Sequence, residues 1–161
     1  MKVQFHLDPM SETAHKIIEL TKRDRRYRFE AYAFVFESLA YAHKVLGLGT
    51  PQRSEQAGRK KTKAASSQQE SPENHLTGQQ LCEAIRRYAL EQYGYMAKCV
   101  LNNWGVHSTA DFGEIVFNLI RIGEMKKTKD DRREDFNDVY DFDAALRREF
   151  RIEHSSRERQ A

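Results

Sequence analysis

The chain has 161 residues, 39% apolar, 32% charged and 11% aromatic: enough for one domain with a core, too few for two large ones, and too aromatic for a wholly unstructured polymer. No run approaches the roughly 18 uncharged apolar residues of a membrane-spanning helix, so no spanning segment is expected. Net charge is only +3 and uneven: residues 1–46 carry 8 Lys/Arg against 6 Asp/Glu (+2), residues 47–74 carry 5 against 3 (+2), and residues 75–161 carry 14 against 15 (−1), which excludes a uniformly basic core.

The first nine residues show no apolar run and no small-residue cleavage site, so no signal peptide is expected and a reducing cytoplasm is the expected location. Ser11 is a good N-cap for a first helix ending near Lys22, with Ala14, Ile17, Ile18 and Thr21 on one face. A second helix is expected from about Tyr27 to Leu46. Tyr27, Ala31, Phe34, Val35, Leu39, Ala42 and Leu46 fall at helical spacing, and Tyr32, Phe36, Ala40 and Tyr41 fill much of the remaining circumference. A helix apolar nearly all round is buried on more than one side. It reads as the axle of the fold, not as a stacking platform for bases, which strands usually build. Gly47 and Gly49 stop it, and with neither a third glycine nor a preceding strand they make no dinucleotide loop.

From 47 to 74 the periodicity disappears and Gln, Ser, Lys, Glu, Gly and Pro dominate. Such a segment buries too little surface to offset a backbone ordering cost of about 1–2 kcal/mol per residue, so it reads as a flexible linker or insertion. Thr77 and Gln80 form a capping box for a third helix over 77–93, with Leu81, Ile85, Tyr88, Ala89 and Tyr93 on its buried face. A fourth helix is expected over 95–104 with Met96, Cys99, Val100 and Trp104 inward. A fifth is expected over 108–122, capped by Ser108, with Phe112, Ile115, Val116, Leu119 and Ile120 facing the core. Cys82 and Cys99 lie at apolar phases and read as buried thiols, not as a disulfide or a reactive pair. Phe136, Val139, Tyr140 and Phe142 fit either a strand or a short helical turn, and a last helix is expected from about 143 to 151.

The expected architecture is mainly α (α+β). One compact helical domain spans 9–46 plus 75–152, the linker interrupts it at 47–74, and a frayed tail covers 153–161. Its C-terminal part, three helices with tight joints and then a short hairpin, has the order of a winged helix, and the alternative is an all-α bundle. Tyr27, Phe34, Trp104, Phe112 and Phe136 are the expected structural anchors.

The blocks Arg26 to Val35, His75 to Leu81, Tyr88 to Leu90, Val100 to Gly105, Asp111 to Leu119 and Asp135 to Phe142 occur in order over roughly 25–46 and 75–146. In them the chain resembles an uncharacterised family of small bacterial proteins, found chiefly in planctomycetes and verrucomicrobia. The resemblance implies a bacterial cytoplasmic protein and brings no established activity, so no functional residue is carried over from it. The linker is longer and more basic than the family pattern.

For chemistry, Asp130, Asp131, Glu134, Asp135, Asp138, Asp141 and Asp143 form an acidic run whose oxygens would suit a hard cation. Their spacing misses a calcium loop, and Arg132 and Arg133 stand among them, so a solvated acidic surface is the expectation and no metal is assigned. The six histidines are scattered without a zinc spacing, and there is no nucleophile elbow or phosphate loop. Asp111 and Glu114 fit an acid–base pair, but their place in the first turns of a helix accounts for them through capping and the helix dipole. No catalytic residue and no cofactor is assigned.

Two functions stay open. The favoured one is a non-enzymatic cytoplasmic module that binds or regulates an unidentified protein partner. The alternative is nucleic-acid association through Arg23, Arg25, Arg26 and Arg28 together with Arg59, Lys60, Lys61 and Lys63 of the linker. The winged-helix docking mode is disfavoured in advance. Its groove helix, 108–122, would expose Asp111, Glu114, Asn118 and Arg121, setting two carboxylates against phosphates.

Overall fold

The computed structural model describes residues 11–48 and 76–148. Expectations for residues 1–8, for the linker from 49 on with Arg59, Lys60, Lys61 and Lys63, and for the tail at 153–161 lie outside these residues.

Among the described residues five helices carry the fold: α1 (Glu12–Arg23), α2 (Phe29–Lys44), α3 (Gly78–Tyr93), α4 (Ala97–Asn103) and α5 (Thr109–Arg121). Helix α1 starts where Ser11 Oγ accepts the Ala14 N–H at 3.2 Å. Its buried stripe is Ala14, Ile17 and Leu20, while Ile18, placed on that face by spacing, is 40% exposed. The helix stops at Asp24, whose backbone is extended and whose carboxylate accepts the Arg26 N–H at 3.1 Å, a side-chain turn that reverses the chain into α2.

Helix α2 is the axle. Tyr32, Phe36 and Leu39 are fully buried, Phe34 and Val35 nearly so, and buried Ser38 returns its hydroxyl to Phe34 O at 2.8 Å. It packs most extensively on α3 and also contacts α5 and α1. It spans Phe29–Lys44, shorter at both ends than the apolar spacing suggests, and Tyr27 lies in the preceding turn as a buried side chain. Helix α3 opens with the expected reciprocal cap: Thr77 Oγ1 accepts the Gln80 N–H at 3.2 Å and Gln80 Oε1 accepts the Thr77 N–H at 3.0 Å.

Between α3 and α4 the residues Gly94–Met96 form a tight 3-10 turn. Three residues per turn in place of 3.6 rotates the following helix relative to one unbroken pattern. As a result α4 buries Ala97 and Leu101, while Met96 and Cys99 are exposed and Val100 and Trp104 are half-buried. Of the expected inward set, Met96 and Cys99 face outward, Val100 is half-buried, and Trp104 is half-buried against the core. Cys82 is buried, as expected. Helix α5 buries Phe112, Ile115, Val116 and Leu119, and its end is capped by Gly123 N–H to Ile120 O (3.0 Å) and Glu124 N–H to Leu119 O (2.9 Å).

No strand occurs among the described residues. In place of the expected hairpin, the segment after α5 is a strap of turns: a 3-10 turn at Arg133–Phe136 and a π-helical turn at Ala144–Arg148. The cause is its carboxylates, which compete for backbone donors that a β-ladder would need. Asp131 takes the Thr128 N–H at 2.7 Å, Asp135 the Arg132 N–H at 3.0 Å, and Asp141 the Ala144 N–H at 2.9 Å. The strap is pinned along its length. Phe136 is driven between α3 and α5, where Cβ atoms on Gly78 or Gly113 would stand only 3.0–3.1 Å from its side chain or that of Asp135. Val139 N–H donates to Thr109 Oγ1 (3.2 Å), Tyr140 OH to Cys82 O (2.8 Å), and the Phe142 ring lies 5.7 Å from that of Phe112. The described residues are thus an all-helical assembly.

Candidate functional site

The densest polar constellation joins the α1–α2 turn to α5. Arg26 makes a two-pronged contact with Asp24 (Nη2–Oδ2 2.7 Å, Nε–Oδ1 3.0 Å) and reaches Glu114 at 3.3 Å, and Arg133 from the strap meets the other Glu114 oxygen at 3.1 Å. Tyr27 OH donates to Asp111 Oδ1 at 2.6 Å, and the second Asp111 oxygen accepts the N–H groups of His107 (2.9 Å) and Ser108 (3.1 Å). Asn118 Nδ2 donates to Tyr32 OH at 3.1 Å. Burial, and then the Asp111 bond, push the Tyr27 hydroxyl far above its ordinary range. Asp111 caps the helix, as expected, whereas Glu114 is engaged by ion pairs with Arg26 and Arg133.

The Arg26 guanidinium holds the Asp24 carboxyl down at about 2, with burial opposing it. The folded value lies below the ordinary 3.8. The stability it adds is therefore present above about pH 4 and is lost as pH falls through about 2. With the side chain 23% exposed, the gain after screening is about 1 kcal/mol. Denaturant unfolding of the wild type and of Asp24→Asn should differ by about that amount at pH 6, and the two should converge by pH 2. Parallel pH curves would contradict this.

The clamp redistributes the expected nucleic-acid residues. Arg26 meets carboxylates with all three guanidinium nitrogens, while its side chain stays 55% exposed. Arg23, Arg25 and Arg28 are exposed, Arg28 giving only its backbone N–H, to Trp104 O at 3.0 Å. Helix α5 offers still less than expected for docking in a groove of nucleic acid. Asn118, counted as exposed, is 1% exposed, because its amide satisfies buried Tyr32 and it also reaches Asp24. Of the four side chains expected to face phosphates, only Arg121 is exposed.

Among the anchors, Tyr27, Phe34, Phe112 and Phe136 are buried. Trp104 is half-buried in an aromatic cluster, 5.5 Å from Phe34 and edge-on to Tyr93 at 5.8 Å. Phe34 also stacks on Tyr88 at 5.1 Å. Within the acidic run Asp131, Asp135 and Asp141 accept backbone donors and Asp143 pairs with Lys98 at 2.6 Å. No three His, Cys, Asp or Glu side chains among the described residues stand where they could share a metal ion.

The surface that sequence reasoning misplaced is the corner between α3 and α4. Tyr95 is 59% and Met96 54% exposed, and Cys99, one turn further on, is exposed as well. The Arg147 guanidinium sits 5.7 Å from the centre of the Tyr95 ring and donates to its hydroxyl at 3.3 Å. Beside it lie Lys98, Asp143 and Arg147, linked through Asp143 Oδ1 at 2.6 and 3.5 Å. The centre is apolar and aromatic and the rim charged. The signal lay in the sequence as apolar residues at helical spacing, but spacing alone did not say which way the face pointed.

Comparison of the chain with protein-family models, with curated proteins and with solved structures gives no match.

Proposed function

We propose that this chain is a non-enzymatic, cytoplasmic protein-interaction module and that the α3–α4 corner is its contact face. One observation carries the reading: Tyr95, Met96 and Cys99 stand exposed together, with the Arg147 guanidinium against the Tyr95 ring. Aromatic, methionine and arginine side chains inside a charged rim are the composition that binding interfaces favour. The engaged carboxylates of α5 and its buried Asn118 weigh against the winged-helix alternative.

The test is affinity capture from native cell lysate with the wild type and with Met96→Asp, each with and without nuclease. The substitution lies on the surface and should change stability by no more than about 0.5 kcal/mol. A protein that co-purifies through nuclease treatment and is lost with Met96→Asp supports the corner. Loss of the partner on nuclease treatment, with steep salt dependence, moves the assignment to nucleic acid and to Arg23, Arg25 and Arg28. A partner kept by Met96→Asp rules the corner out.

A further inference from the structure

An open groove of about 500 Å3 lies between α1 and the end of α5, a volume in the range that accepts a small ligand. Both ends are tied. Thr13 Oγ1 donates to Glu124 Oε2 at 2.7 Å and Lys16 Nζ pairs with Glu124 Oε1 at 2.9 Å. At the far end Asp24 is gripped by Arg26, and Asn118 approaches it at 3.4 Å. The groove is therefore formed before any ligand arrives. Leu20 and Ile122 give it an apolar wall.

Its charges are informative once pairing is taken into account. Glu19 is engaged by Lys22 at 2.6 Å and Asp24 by Arg26 at 2.7 Å, so neither facing carboxylate is free of a cation. Lys16 is neutralised by Glu12 and Glu124. Arg23 and Arg121 remain. Both line the groove, both are exposed, and neither has a hydrogen bond or ion pair among the described residues. Each stands in the last turn of its helix, where a cation complements the helix dipole. That explains each arginine singly. It does not explain why two from separate helices face one groove whose carboxylates are already paired.

We infer that this groove binds a small phosphate monoester, with Arg23 and Arg121 gripping the phosphate and Leu20 and Ile122 touching the body of the molecule. A phosphate monoester carries about −1.5 to −2 charges at neutral pH, which two guanidiniums match, and its oxygens fit the guanidinium fork. A carboxylate brings one charge and leaves the second arginine uncompensated. This assignment does not depend on the α3–α4 corner.

Phenyl phosphate is the probe, titrated into the full chain and followed by NMR, with benzoate and phenol as comparators. The expected result is saturable shifts of the Leu20 and Ile122 methyl groups, weaker binding of benzoate, and little effect of phenol. Arg23→Gln and Arg121→Gln should each weaken phenyl phosphate by about tenfold, as expected for one charge-assisted contact, while Met96→Asp leaves it unchanged. Failure of phenyl phosphate to saturate, benzoate binding as tightly, or arginine variants that bind like the wild type would each overturn the assignment. A fall in melting temperature in those variants with unchanged binding would reduce the two arginines to helix-end charges and overturn it equally.

Discussion

Phe136→Ala is expected to lose about 3–5 kcal/mol of stability, the usual cost of deleting a buried phenyl ring, and to lower the melting temperature by roughly 10–20 °C for a structured region of this size. The ring is 2% exposed and wedged between the glycines of two different helices. The backbones of Gly78 and Gly113 already approach the ring as closely as packing allows, so truncating it leaves a cavity at the seam of α3 and α5. The strap then loses its central pin. The Val139 amide, which donates to Thr109 Oγ1, should exchange faster before the amides of α2 do, as the Tyr140 hydroxyl bond to Cys82 O loosens on the other side of the seam. Equal loss of protection throughout would mean that Phe136 supports the whole core and does not pin the strap alone.

Gly113 makes the same point from the opposite side. Glycine within a helix costs about 0.5–1 kcal/mol relative to alanine, and here that cost is tied to a close approach. A Cβ on Gly113 would stand 3.0 Å from Phe136 Cβ and 3.1 Å from its Cγ. The helix accepts a poor helix former so that the phenyl ring can reach the seam.

How far such features were legible depends on whether they are local. The caps at Ser11 and Thr77 were readable because a capping side chain and its backbone partner lie three residues apart. The α2 axle was readable because its apolar residues leave no polar side to face water. Phe136 was recognised as an anchor, but its route was not. A run of aromatics with uncertain alternation leaves strand and turn undecided until the backbone donors are assigned, and here aspartates claim them. The candidate corner was missed for a different reason: the fourth helix is short, and it meets the core through Ala97 and Leu101, so the spacing of its larger apolar residues pointed Met96 and Cys99 inward when they face out. The Arg26 clamp was only half legible: Asp24 lies two residues away within the same basic run, but Glu114, which meets the guanidinium from 88 residues away, is known only from the fold.

Gly105→Ala should be as damaging as losing a core aromatic, although it adds only a methyl group. Gly105 has φ +93°, a conformation that costs an L-residue about 1–3 kcal/mol. A Cβ there would also overlap the carbonyl oxygen of Arg26. That oxygen belongs to backbone, so no side-chain rotation relieves the overlap. Either the α4–α5 joint or the α1–α2 turn must move. The two are linked by the Arg28 N–H bond to Trp104 O at 3.0 Å, and the Tyr27–Asp111 bond lies next to it. The expected loss is about 3 kcal/mol or more, combining the dihedral cost with the displaced contact. Its signature separates it from a general loss of packing: the Arg28 amide should exchange faster, and Tyr27, held high by burial first and by Asp111 second, should lose part of that upward shift as the turn opens. A Gly105→Ala protein that melts within a degree or two of the wild type, with Arg28 still protected, would mean that the joint and the turn do not meet as described, and the clamp built on their contact would fall with it.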